Sequence, residues 1–339
     1  MSAVGDHEFR APWPLSISHV QTLGAAMPLH IQPPAGAREE PLRFPIPGGA
    51  LHGSAWLHAD RRPAVVLVHG VGGSIDSRYV VRSAAAVHAA GYHAIRLNLR
   101  GAGSSLADAP LLYHGGLVDD LRVAATALNA RDDVDGVHLI GFSLGGNCVL
   151  RFAAEPDAEL VRSAIGISAP LDLAATSRLI NRVRVFPYRA YVLAGLLRQG
   201  LAFARLRPDR VRYTAAQLRR VRTIWQYDDV VVAPMHGFGD AANYYAQVSA
   251  GPRLPHVRVP ALVVHAEDDP MVPGHTVQPF LGTRASNVEV AWSRQGGHVG
   301  WFRSLDAPSW TRTWALERAL EFLARLPANQ GAGKTAAPS

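Results

Sequence analysis

Residues 137–154 read Val-His-Leu-Ile-Gly-Phe-Ser-Leu-Gly-Gly-Asn-Cys-Val-Leu-Arg-Phe-Ala-Ala, and this stretch decides the fold of the chain. Its first four residues are typical of a buried strand, and residues 147–154 are typical of a helix. Between them, Gly141-Phe142-Ser143-Leu144-Gly145 fits the Gly-x-Ser-x-Gly turn that joins a strand to a helix. The turn is tight enough to favour glycine on both sides, and it pushes the serine hydroxyl into the open. The pattern predicts that Ser143 is a nucleophile.

The same alternation of a buried strand with a helical stretch recurs along the chain. Further short apolar runs lie at residues 64–68, 94–97, 164–167, 261–264 and 288–290. Two strand-like runs, 42–46 and 51–57, flank Gly48-Gly49, which is a hairpin signal. Strands that alternate with helices predict an α/β fold with a mostly parallel, eight-stranded sheet, helices on both faces and right-handed crossovers.

The alternation stops between residues 172 and 256, where helical stretches rich in Leu, Ala and Arg carry no clear strand signal. We expect an inserted helical lid over 172–256, between the two parts of an α/β core at 41–171 and 257–326. An arm over 1–40 contains several prolines, and Trp13 and Leu23 are expected to anchor it. The tail over 327–339 reads as disordered.

Composition bounds the class of protein. Of the 339 residues, 48% are apolar and 18% are charged, which suits a globular chain and excludes a disordered one. The single cysteine, Cys148, excludes an internal disulfide and favours the cytoplasm. The start of the chain has no secretory signal pattern, and no apolar run is long enough to span a membrane.

The net charge of +7 comes from arginines that concentrate between Arg178 and Arg222, opposed there only by Asp209. Such a segment can face an anionic surface, and peripheral contact with an anionic membrane is one hypothesis. No nucleic-acid-binding module accompanies the arginines, so we expect no nucleic-acid partner.

An acid and a histidine follow the serine in the chain order typical of a Ser-acid-His triad. The strand at 261–264 runs into His265-Ala266-Glu267-Asp268-Asp269-Pro270, a proline-fixed loop that can present a carboxylate. After the strand at 288–290 comes Gly296-Gly297-His298-Val299-Gly300, which places a histidine on a glycine loop. We predict that His298 takes the proton of the serine, and that Asp269 or Asp268 orients it.

Two backbone amides are expected to hold the negative charge that develops on a carbonyl oxygen. Leu144 begins the helix after the serine, so its amide points to that place. The second donor should come from the glycine-rich loop at 69–74, and we assign it to Val71. Both assignments are hypotheses about an oxyanion hole.

Taken together, these motifs resemble those of the α/β-hydrolase fold and, within it, of the YheT-like esterase/lipase group. The segments that carry the resemblance are 19–23, 69–74, 98–103, 141–147, 227–229, 233–234, 237–238, 244–245 and 296–300. The resemblance favours Asp269 as the acid, because it stands directly before x-x-Val-Pro. It implies a carboxylesterase or lipase acting on short- to medium-chain acyl or glycerol esters, a small-molecule acyl ester as substrate, and no metal or organic cofactor.

Two alternatives stay open, and a third fails. An acyltransferase or transesterase could use the same serine, and His114 with Asp119 fits an H-x4-D pattern known from acyltransferases. A lipid-surface binding module could use an apolar stripe formed by Tyr188, Tyr191, Leu193, Leu196 and Leu197. A dinucleotide site fails, because Leu106 stands where Gly101-Ala102-Gly103 would need a third glycine.

Overall fold

The structure is a computed structural model that describes residues 9–27, 31–181, 186–304 and 313–327. Within them, eight strands form one sheet. The strands are β1 Arg38–Ile46, β2 Gly49–Leu57, β3 Arg62–Val68, β4 His93–Leu97, β5 Val134–Phe142, β6 Ser163–Ile167, β7 Ala261–Ala266 and β8 Val288–Ser293. Their spatial order is β1-β2-β4-β3-β5-β6-β7-β8.

The sheet is antiparallel only at one edge. The hairpin β1-β2 is antiparallel, and so is the pairing of β2 with β4. All pairs from β4 to β8 are parallel, so their carboxyl ends meet at one edge. The prediction of a mostly parallel, eight-stranded sheet is confirmed.

The helices are α1 Ser18–Ala26, α2 Arg78–Ala89, α3 Asp119–Asn129, α4 Leu144–Phe152, α5 Leu173–Leu179, α6 Phe186–Leu206, α7 Ala215–Arg220, α8 Ile224–Tyr227, α9 Ala233–Met235, α10 Ala241–Val248, α11 Gln278–Leu281 and α12 Trp314–Arg325. Short 3-10 helices occupy Gly103–Leu106, Ala158–Leu160, Gly251–His256 and Gly274–Thr276, and Asp228–Val232 is a π-helical turn.

Helices cover both faces of the sheet. Alternate residues of each buried strand point to opposite faces, and each set packs against the helices on its side. Val66 and Val68 face a core that includes side chains of α3 and α4. Val65 and Leu67 face a second core that includes side chains of α2 and α12. The doubly covered parallel sheet is the reason why the strands read as continuous apolar runs.

The helices α5 to α10, between β6 and β7, pack around a third apolar core of their own. Fully buried aromatic rings, among them Phe203 and Tyr227, lie at its centre. Leu144 at the start of α4 packs against this core and also against the core of the sheet. The segment is thus seated directly over the turn that carries the serine.

The arm is held differently from the prediction. Trp13 is 81% exposed and Leu23 is 59% exposed, so the expectation that they anchor the arm is wrong. Phe9 and Leu15 are buried in the core beside α12 instead. The prediction of a disordered tail falls, apart from residue 327, outside the described residues.

Candidate active site

The turn between β5 and α4 holds Ser143 in a conformation that side chains rarely adopt, with φ 51° and ψ −121°. Its amide donates a hydrogen bond to the carbonyl of Ile167 at 2.8 Å. A Cβ at Gly141 would lie 2.2 Å from the carbonyl oxygen of Gly145, and one at Gly145 would lie 2.5 Å from that of His69. Glycine is therefore required on both sides of the serine, as the sequence predicted.

Loops at the carboxyl ends of β7 and β8 bring Asp269 and His298 together. The Nδ1 atom of His298 lies 2.8 Å from Oδ2 of Asp269. The other carboxylate oxygen accepts hydrogen bonds from the amides of Met271 and Val272, both at 2.8 Å. Asp269 is 2% exposed and His298 is 7% exposed, so little water competes for this pair. The arrangement fixes the imidazole ring and leaves Nε2 to act on another group.

The neighbouring carboxylate has a different partner. Asp268 accepts a hydrogen bond at 3.0 Å from the amide of Gly297, the residue before the histidine. Burial raises the pKa of Asp268 above its ordinary value. The geometry thus pairs Asp269 with the imidazole, while Asp268 fastens the loop that carries it.

Ser143 and His298 line the same cavity, whose volume is about 520 Å³. Within the described residues, no hydrogen bond joins the serine hydroxyl to the imidazole. Hydrogen bonds of catalytic groups are often long before substrate binds, and they tighten in the reacting complex. The structure brings the three side chains to one edge of the sheet, with Asp269 and His298 already in contact.

The loop after β3 is pinned by two tyrosines, on either side of Val71. The amide of Gly70 donates to the hydroxyl of Tyr79 at 2.8 Å, and the amide of Gly72 donates to that of Tyr113 at 2.6 Å. In the part of the chain that the structure describes, the amide of Val71 between them makes no hydrogen bond.

The second candidate donor, the amide of Leu144, is at the first position of α4, where a helix has no internal acceptor to offer. Val71 and Leu144 both line a cavity that also reaches Ser143. Among the described residues, neither predicted donor amide has an acceptor, and both residues border the cavity at Ser143.

Two cavities meet at the serine. The smaller one measures about 90 Å³ and lies beneath the helices between β6 and β7. Most of its wall is apolar: Leu112, Leu173, Ile180, Leu196 and Val232 are among the lining residues. The wider one, of about 520 Å³, is lined by the arm, the loop after β3 and His298. Val71, Ser143 and Met271 line both, so a bound molecule can place one end on each side.

One contact that the sequence prediction missed supports the histidine from the arm. Thr22 on α1 accepts a hydrogen bond at 2.9 Å from the amide of His298. Beside it, the side chain of Gln21 bonds both the carbonyl and the amide of Phe302, at 2.9 and 2.7 Å. The arm motif at 19–23 contains both residues, but its pattern alone does not show which loop it contacts.

His69 holds the base of the loop after β3. Burial lowers its pKa to about 4, so the ring is neutral near pH 7. Its Nδ1 lies 2.8 Å from the carbonyl of Gly70, and its Nε2 accepts from the amide of Leu99 at 3.3 Å. Because both ring nitrogens are occupied, this histidine supports the loop after β3.

His114 and Asp119 do not form a pair. Nδ1 of His114 accepts from the amide of Gly116 at 3.1 Å, whereas Asp119 is exposed and forms an ion pair with Arg122. Burial lowers the pKa of His114 well below its ordinary value, so this ring is also neutral. His114 lines the smaller cavity, where it contributes to the wall.

The apolar stripe of α6 packs mainly inward. Tyr188, Leu193 and Leu196 are all less than a tenth exposed, whereas Tyr191 is 73% exposed.

Among the described residues, no helix is long and apolar enough to cross a membrane. The described part of the chain likewise holds no group of three His, Cys, Asp or Glu residues placed to bind a metal ion. The lone Cys148 is buried, and burial raises its pKa to about 12.

Comparisons with known proteins give the relatives of the chain. A family model described as alpha/beta hydrolase fold matches residues 63–300. The monoacylglycerol lipase of Saccharomyces cerevisiae is 30% identical over 274 residues, which cover 78% of this chain and 59% of the yeast protein. The YheT esterase of Escherichia coli is 31% identical over 263 residues, which cover 76% of this chain and 77% of that protein. Among solved structures, an esterase of Pyrococcus furiosus has the same fold, with a TM-score of 0.57 at 17% identity; the match covers 86% of this chain and 93% of that one.

Proposed function

Because the chain belongs to the α/β-hydrolase fold family, within its YheT-like esterase group, we propose that it is a serine hydrolase that cleaves carboxylic (acyl) esters. The observation that carries the proposal is the contact of 2.8 Å between Asp269 and His298, in a cavity that Ser143 also lines. The names of the two relatives, a lipase and an esterase, point to the same chemistry.

In the proposed reaction, the oxygen of Ser143 attacks the ester carbonyl carbon while Nε2 of His298 accepts the serine proton. The amides of Val71 and Leu144 donate to the carbonyl oxygen as it becomes negative. The bond to the alcohol breaks, His298 protonates the leaving alcohol, and the acyl group stays on Ser143 as an ester. Water then attacks this acyl-enzyme with His298 as base, which releases the acid and restores the serine. Asp269 keeps the ring oriented and stabilises its positive charge throughout.

The two cavities suggest how an ester is placed. We assign the acyl chain to the smaller, apolar cavity and the alcohol to the wider one, because His298 lines only the wider one and must reach the leaving oxygen. The smaller cavity of about 90 Å³ has room for roughly six to nine water-sized groups. That size supports short- to medium-chain acyl groups as substrates.

The segment 172–256 is proposed to act as a lid over the acyl side. Its helices form most of the wall of the smaller cavity, and residues on α5, α6 and α10 line it. A cover of this kind excludes water from the acyl chain and strengthens the electrostatic contacts around the serine. The α/β core at 41–171 and 257–326 then supplies the reacting groups.

The test of the function is the hydrolysis of p-nitrophenyl acyl esters by the purified protein and by its Ser143→Ala variant. We expect turnover by the wild type and a loss of about 10⁴-fold or more in the variant, because no other group supplies the nucleophile. Circular dichroism and thermal melting of both proteins provide the control for folding. Turnover of the variant near the wild-type rate would refute the proposal.

Acyl transfer is a second candidate, favoured by the width of the cavity on the histidine side, about 520 Å³. An acceptor alcohol in that cavity could attack the acyl-enzyme in place of water, with the same serine and histidine. Analysis of products with added glycerol or ethanol separates the two: ester products at low alcohol concentration indicate transfer, and free acid alone indicates hydrolysis.

Contact with an anionic membrane surface is proposed as an accessory to catalysis. Exposed apolar side chains include Trp13, Ile17, Leu23 and Met27 of the arm and Tyr191 of α6. Leu23 and Tyr191 also line the wider cavity, so this surface surrounds the proposed entrance for the ester. Flotation with vesicles that contain anionic lipid tests it: wild type should float, and a Trp13→Ser, Leu23→Ser variant should stay behind. Equal behaviour of the two proteins would remove this surface from the account.

A further inference from the structure

The smaller cavity contains a buried carboxyl group that the proposed reaction does not use. Asp228 lines this cavity, is only 8% exposed and begins the π-helical turn Asp228–Val232. π-Helical turns are rare and are found frequently at functional sites. A carboxyl group in a mainly apolar cavity needs a reason, because its burial is unfavourable unless it has hydrogen-bond partners.

Among the residues that the structure describes, one oxygen of this carboxyl group has such a partner. Oδ2 of Asp228 accepts a short hydrogen bond from the hydroxyl of Tyr245, which also bonds the hydroxyl of Ser177 at 3.0 Å. Within the described residues, Oδ1 of Asp228 makes no hydrogen bond. Tyr245 and Ser177 line the cavity as well, so this chain of hydroxyl groups holds the carboxyl group at the cavity wall.

A second polar atom in the same wall also lacks a partner. The hydroxyl oxygen of Thr176 is buried and has no hydrogen-bond partner in the described part of the chain, and Thr176 lines the cavity. A hydroxyl group can donate one hydrogen bond and accept another. A ligand hydroxyl in this cavity could therefore donate to Asp228, while Thr176 adds a second polar group to the wall.

We propose that Oδ1 of Asp228 makes the smaller cavity a binding site for acyl chains that carry a hydroxyl group, in preference to plain alkyl chains of the same length. This inference rests on the proposed function, since it assigns the acyl chain to that cavity. A hydroxyl group fits better than an ammonium group, because a charged ligand would lose far more hydration in a cavity with so little polar wall.

The charge of the site depends on pH near neutrality. Burial raises the pKa of Asp228 to about 7, while the hydrogen bond from Tyr245 acts in the opposite direction. The carboxyl group of Asp229 also raises the pKa of Asp228, and Asp228 in turn raises the pKa of the hydroxyl groups of four tyrosines. These tyrosines are Tyr113, Tyr227, Tyr244 and Tyr245. The ionised form accepts hydrogen bonds more strongly, so the preference for hydroxylated chains should rise with pH through about 7.

The experiment compares p-nitrophenyl octanoate with octanoate esters that carry one hydroxyl group at different positions along the chain. For the best position we expect a kcat/KM about tenfold or more above that of plain octanoate at about pH 8.5, the size expected for one hydrogen bond to a charged group. At about pH 5.5 the ratio should fall by severalfold. Because each ratio compares two substrates of one enzyme, effects of pH that are common to both substrates cancel.

Two variants separate binding from support of the fold. Asp228→Asn should reduce the ratio by severalfold and remove its dependence on pH, since a neutral amide replaces the carboxylate. Tyr245→Phe removes the hydrogen bond to Oδ2 but keeps the carboxylate, so it should keep most of the preference. If both variants lower the rates on both esters in proportion and leave the ratio unchanged, Asp228 only supports the fold and the inference is wrong.

The outcomes also distinguish this inference from the proposed function. Hydrolysis of plain octanoate without any preference for hydroxylated esters, at any position of the hydroxyl group and at both pH values, overturns the inference and leaves the esterase intact. No Ser143-dependent turnover of either ester overturns the proposed function itself.

Discussion

The two cavities that meet at Ser143 differ in the parts of the chain that line them. The wider one is lined by the arm, the loop after β3 and the start of α6, with His298 in its wall. The smaller one is covered by helices inserted between β6 and β7. The groups proposed to carry out the reaction belong to the sheet edge, while the surfaces proposed to select the acyl chain belong to the insertion. Changes on the first side should therefore alter kcat for every ester, and changes on the second should alter which ester is preferred.

The largest effect is expected where the sheet orients the imidazole. Asp269→Asn should lower kcat on p-nitrophenyl butyrate by about 10³- to 10⁴-fold, because an amide favours the wrong tautomer of His298. Asp268→Asn is the matched control, since its oxygen can still accept from Gly297. Steady-state kinetics of the two variants decide the assignment. A larger loss in Asp268→Asn than in Asp269→Asn would contradict it.

A matched pair of Val→Phe variants tests the division between the cavities. Val232 lines only the smaller cavity, and Val192 lines only the wider one. Val232→Phe should reduce kcat/KM on octanoate by roughly 10- to 100-fold and leave acetate much less affected, because the added ring fills the acyl site. Val192→Phe should leave the order of preference among acyl lengths unchanged. The measurement is a p-nitrophenyl ester series of rising acyl length. A shift in length preference caused by Val192→Phe alone would reverse our assignment of the cavities.

A smaller effect is expected from the arm. Thr22→Ala removes the acceptor for the amide of His298, so kcat should fall about tenfold with little change in KM. Thr22→Ser keeps the hydroxyl group and should restore most of kcat. If kcat falls equally in both variants, the methyl group of Thr22 supports His298 and the hydroxyl group does not.

The smallest effect concerns stability. An unfolded aspartate ionises near pH 4, whereas the pKa of Asp228 in the folded protein is raised to about 7. The folded state therefore keeps a proton that the unfolded state has lost, and stability falls as the pH rises from about 4 through about 7. Asp228→Asn has no such carboxyl group, so it should raise Tm by a few degrees at pH 8 and by less at pH 5. A gain in Tm that is equal at both pH values would show that the pKa of Asp228 is not raised.

The sheet and the turn at Ser143 could be predicted from sequence, because each rests on local information. The continuous apolar strands reflect burial on both faces. Gly141 and Gly145 are required because a Cβ at either position would lie 2.2 or 2.5 Å from a backbone oxygen in or next to the turn. Apart from the resemblance, which favoured Asp269, nothing in the local pattern separates Asp268 from Asp269, since both precede the same proline. The choice between them depends on which carboxylate reaches a loop 29 residues further along the chain.

The arm and the inserted helices were harder to predict, because their contacts are with distant segments. The exposure of Trp13 and Leu23 and the burial of Phe9 depend on which distant segments the arm packs against, which no short pattern encodes. The contact of Thr22 with His298 and the position of Asp228 in the cavity wall also depend on distant segments and are not encoded in a short pattern. The predictions of the triad, the oxyanion donors and the lid stay predictions until tested by activity.

Every step of the proposed reaction depends on the hydroxyl group of Ser143 as the nucleophile. The most direct measurement is labelling of the purified protein with a fluorophosphonate, followed by mass spectrometry of its peptides. We predict one adduct per chain, on Ser143, and none in the Ser143→Ala variant or after denaturation. An adduct on another residue, with Ser143 unmodified in a protein that hydrolyses esters, would contradict the account.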